Sequence, residues 1–128
     1  MPITVHWDDP HQTIVRWDFE GAWTWQDFYQ AQAESDALIT SVEHTVDVVA
    51  NVARSPSLPR NPLSRYRQAR QSTPRNRGVV VVVGANSFVM SIIQIYNPVF
   101  GRKLRDEFLF ADTLDDARTL IKQFRQRA

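Results

Sequence analysis

Apolar and polar positions change their spacing several times along the chain, and each change marks an element. Ile3, Val5 and Trp7 alternate with Thr4 and His6, a period of two that predicts a half-buried strand. Asp8-Asp9-Pro10-His11-Gln12 supplies a turn, and Pro10 has no N–H to give a ladder. Val15, Trp17 and Phe19 then alternate with Arg16 and Asp18, so the two runs read as an antiparallel hairpin with Trp7 and Trp17 on its core side. After Thr24 the period lengthens. Phe28, Ala31, Ser35, Leu38 and Val42 recur at helical spacing, and Asp27 stands where a capping-box acid belongs.

Residues 46–53 return to a strand-like run, followed by a loop stiffened by Pro56 and Pro59. Asn61-Pro62 suits a helix start, and 63–71 predicts a short arginine-rich helix. Five consecutive valines between Gly78 and Gly84 predict a strand buried on both faces, as in a parallel sheet covered by helices. Asn86 caps a helix with Phe88, Val89, Ile92, Ile93 and Tyr96 apolar, which Asn97-Pro98 is expected to end. A short strand over 108–111 precedes a second capping box at Thr113 and Asp116. The closing helix then carries Ala117, Leu120, Ile121 and Phe124 on one face. The order is ββαβαβαβα: an α/β fold, one domain over 1–128, with a mostly parallel sheet, an N-terminal antiparallel hairpin and four helices.

Composition narrows the chemistry. With 128 residues and no cysteine, the chain suits one domain without disulfides, thiolate nucleophiles or cysteine zinc sites. The first residues lack a signal peptide's basic and apolar regions, and no apolar run approaches the ~20 residues of a membrane span. A cytoplasmic location is expected. The net charge of +1 hides an asymmetry: seven arginines and no acid lie between Arg54 and Arg77, leaving eight basic against fourteen acidic groups elsewhere.

Guanidinium groups suit phosphates and carboxylates, so Arg54, Arg60 and Arg65 are candidates for an anion or acidic-partner surface. Tyr66 is the only aromatic among them, which argues against single-strand nucleic-acid binding. Asn86 joins that surface because Gly84-Ala85-Asn86-Ser87 places backbone N–H groups at a helix start, without the glycines and lysine of a phosphate loop. His6, His11 and His44 have no metal-ligand spacing, and no serine sits in a G-x-S-x-G elbow. Neither an enzyme nor a cofactor is indicated. Tyr96 and Phe100 flank the helix break as an apolar interface or lid.

This element order resembles the STAS domain, the sulphate-transporter and anti-sigma-factor-antagonist module with the stage II sporulation protein AA-like fold. The resemblance covers residues 3–125 and rests on the order itself, on Thr24-Trp25-Gln26-Asp27 and Thr113-Leu114-Asp115-Asp116, and on the strand-to-helix turn Gly84-Ala85-Asn86. It implies a cytosolic, non-enzymatic regulatory module that binds a protein partner or itself as a homodimer. It also implies a phosphorylated serine after the third strand. The family's Asp-Ser-Ser-Gly is replaced by Ala53-Arg54-Ser55-Pro56-Ser57, making Ser55 the nearest match and Ser57 the next. The alternative is a binder of a small anionic, phosphorylated or amphipathic ligand, in a pocket roofed by 87–100.

Overall fold

The computed structural model describes residues 2–60, 73–100 and 108–127, with 95–100 and 127 described by their backbone alone. Five strands form one mixed sheet in the order β1-β2-β3-β4-β5: β1 (Ile3–Trp7), β2 (Ile14–Glu20), β3 (Val46–Arg54), β4 (Arg77–Val83) and β5 (Phe108–Ala111). β1 and β2 are antiparallel, with Val5 opposite Trp17, and every later pair is parallel. Three helices are described: α1 (Trp25–Thr40), α2 (Ser87–Phe100) and α3 (Leu114–Arg127). The four-helix order is therefore not matched. The described residues read ββαββαβα, and the helix expected over 63–71 lies outside them.

Strand alternation separates two cores. Val15, Trp17 and Phe19 face α1 with Ile3, Val46, Val48 and Val80, and α1 adds Phe28, Ala31 and Ile39. On the other face Val49, Val79, Val81 and Val83 meet Ala117 and Ile121 of α3. The valine run is buried on both sides because a different helix covers each side. Two expectations change in detail. Ile39 rather than Leu38 is the fully buried residue of the last turn of α1, and Val42 lies beyond the helix. The second helix runs through Asn97-Pro98 to Phe100. The fixed φ of proline is itself helical, so the helix can pass through Pro98 at the cost of one i→i−4 hydrogen bond and of crowding at the Gln94 carbonyl.

Polar side chains then fasten the ends. Thr24 and Asp27 form the expected capping box on α1. Asn76 donates to the carbonyls of Ile39, Val42 and His44, closing the other end of that helix. α3 is held by two ion pairs, Arg118 with Asp8 at 2.8 Å and Arg125 with Asp47 at 2.8 Å. Among the described residues, no helix is long and apolar enough to cross a membrane.

Candidate functional site

The loop that follows β3 is built into the fold rather than draped over it. Ser55 is 2% exposed, and its Oγ donates to the Gly21 carbonyl at 2.7 Å. Asn86 Nδ2 donates to the Pro56 carbonyl at 2.6 Å, across from the start of α2. Trp25 Nε1 donates to the Arg60 carbonyl at 2.7 Å. Two side chains from other elements thus hold the segment by its backbone, and its own Ser55 ties it to the end of β2.

Each tether has a local cause. Trp25 is the first residue of α1 and stands edge-on to Trp23 and Phe28, which fixes the direction of its indole N–H. Asn86 uses its Oδ1 to cap α2 through the Val89 N–H at 2.9 Å, leaving its amide to face the loop. Gly84 makes the close approach of β4 to β3 possible. Its φ is +74°, and a Cβ there would lie 2.6 Å from that of Ala53. All of these residues sit where β2, β3 and β4 end.

The surface so presented is basic and partly aromatic. Arg54 is 80% exposed on its side chain and pairs with Glu20, itself 63% exposed, at 3.1 Å; the parallel register puts the two residues side by side. Ser57 and Arg60 are exposed. Phe88, in the first turn of α2, is 56% exposed and is the exposed large apolar residue among those described. The sequence pattern counts Phe88 as one apolar residue among five in this helix, and nothing in that spacing singles it out.

The candidate residues therefore divide. Arg54, Ser57, Arg60 and Asn86 are brought to one end of the sheet, and Ser55 lies beneath them as a buried strut. A hydroxyl at 2% exposure is out of reach of a kinase, so accessibility falls to Ser57. Asn86 commits its Oδ1 and one Nδ2 hydrogen to the fold, which leaves one side-chain donor to face an anion. Arg65 lies outside the described residues, as do the side chains of Tyr96 and Phe100.

The strands follow one another across the sheet without a reversal of order, so no crevice of the switch-point kind opens at their ends. A cavity of about 80 Å³ lies instead between α1 and the sheet, floored by Trp17, Val48, Ala50 and Val80 and rimmed by Gln32 and Asp36. Burial there raises the Asp36 carboxyl above its ordinary value, with the Arg77 charge opposing. Ligand pockets usually run to about 300–1,000 Å³, so this one suits a few waters better than a cargo. No group of three metal-ligating side chains occurs among the described residues. No protein-family model matches the chain, and no curated protein matches it either.

Proposed function

We propose that the chain is a non-enzymatic, STAS-like regulatory module that docks a protein partner on the loop after β3 and the first turn of α2. The observation that carries this reading is the triple tether of that loop by Ser55, Asn86 and Trp25. A fixed loop loses little conformational freedom on binding, so contacts made by its side chains convert more fully into affinity. Its outward groups, the arginines of the loop and the exposed aromatic ring in the first turn of α2, are of the kinds enriched at interfaces. Ser57, exposed between two arginines, is where a modification would act on docking.

The test is a photo-crosslinking amino acid placed at Ser57 in the producing cell, with Thr40 at the far end of α1 as the control position. A discrete protein adduct from position 57 and none from position 40 is expected. Adducts of equal yield at both positions contradict the reading.

A further inference from the structure

We infer that the partner's contact segment is acidic with an apolar residue beside its carboxylates, and that Glu20 occupies the partner's place on Arg54 in the free protein. This rests on the docking reading above and adds the chemistry of the occupant. Charge complementarity carries it. Of the seven arginines from Arg54 to Arg77, a stretch without a carboxylate, Arg54 and Arg60 stand at the tethered loop, while Arg77 begins β4 at the other end of the sheet. The guanidinium of Arg60 has no carboxylate partner among the described residues, and it stands on a carbonyl fixed by Trp25. Phe88, exposed and two residues after the Asn86 that grips Pro56, is the candidate for the apolar contact.

Glu20 is the acid that meets Arg54, and the pairing is exchangeable. Both side chains are largely in water, where such a pair is worth about 0–1 kcal/mol. An incoming carboxylate repeats the contact with Glu20 and adds those to Arg60 and Phe88. The last residue of β2 thus acts as a placeholder that a partner displaces.

Two fluorescent peptides test this on the full chain: one rich in glutamate with two leucines, and the same peptide with glutamine at every glutamate. The acidic peptide is expected to bind, to weaken as salt rises, and to lose about tenfold in affinity on Arg54→Gln with Arg60→Gln. Phe88→Ser weakens it further. The decisive variant is Glu20→Gln, which is expected to bind about two- to fivefold more tightly, the value of a released surface pair. Thermal melts confirm that each variant is folded. Equal binding of the glutamine peptide, or no gain from Glu20→Gln, overturns the inference. Binding of phosphatidylserine vesicles without binding of the acidic peptide also overturns it and assigns the patch to a lipid surface. A protein crosslinked at Ser57 whose contact segment lacks acids overturns the inference and leaves the docking reading standing. Peptide binding with no crosslinked protein overturns the docking reading and with it the acidic protein partner, and leaves the exchange of Glu20 on Arg54 as a property of the patch.

Discussion

Asp47 and Arg125 meet across 78 residues of sequence, with Nη2 and Nε of the arginine 2.8 and 2.9 Å from one carboxylate oxygen. The other oxygen accepts the Val79 N–H at 2.9 Å, where the pairing of β3 with β4 slips between Val46 and Val48. Gly78 makes this possible, because a Cβ there would occupy the space of the Asp47 carboxylate. One buried acid therefore mends a bulge in the sheet and anchors the C-terminal helix.

Arg125→Met leaves the Asp47 charge, 4% exposed on its side chain, without its counter-ion. We expect a loss of about 3 kcal/mol in urea unfolding, the low end for a broken buried pair because Arg125 itself is partly solvated. Gly78→Ala should cost a similar amount by pushing the carboxylate aside. The double variant should lose less than the two costs combined, since both act through Asp47. Additive losses would separate the bulge from the clamp.

Asp8 gives the pH dependence. Hydrogen bonds from Arg118 hold its carboxyl below the ordinary value against the opposing effect of burial, and the Arg118 and Arg16 charges add to them. Asp9 is also lowered: burial opposes it, but the Thr13 hydroxyl and the Thr13 and Ile14 N–H groups outweigh burial. Both are depressed acids, so their stabilisation is present above the unfolded value of 3.8 and disappears as pH falls through the folded values. Melting temperature should therefore drop steeply below about pH 4. Asp8→Asn should lower it at pH 7 and flatten that acid limb. An unchanged limb would place the acid sensitivity elsewhere.

Ser55 and Ser57 should behave oppositely. Ser55→Ala leaves the Gly21 carbonyl without its side-chain donor and should cost about 1–2 kcal/mol, with faster hydrogen exchange around the loop. Ser57→Ala should change stability by less than about 0.5 kcal/mol, as exposed positions do. Similar losses at both positions would contradict the strut.

Gly84→Ala tests how tightly the strand ends are drawn together. The backbone there is left-handed and a methyl group would meet Ala53, so a loss of about 2 kcal/mol in denaturant unfolding is expected. A neutral substitution would show that the approach of β4 to β3 is not needed to seat the loop.

Much of this fold is legible in the chain because its signals are local. Alternation at Ile3–Trp7, the valine run, and the Thr24–Asp27 box each lie within a few residues, and the strands and caps fall where those patterns put them. The Asp8–Arg118 and Asp47–Arg125 pairs were not legible, because each joins groups far apart in sequence that carry no periodic mark. The site was half legible. Its arginines and Asn86 stand out by composition and position, whereas the difference between Ser55 and Ser57 depends on which hydroxyl faces Gly21. That is a property of the packed loop, and a proline beside each serine gives both the same local sequence.

The most direct measurement is hydrogen–deuterium exchange on the chain bound to the protein captured through position 57. The account predicts slowed exchange across 54–60 and 86–90, with the hairpin turn over 8–13 and the exposed side of α3 unchanged. Protection confined to the turn or to α3, with 54–60 exchanging as in the free protein, would contradict it.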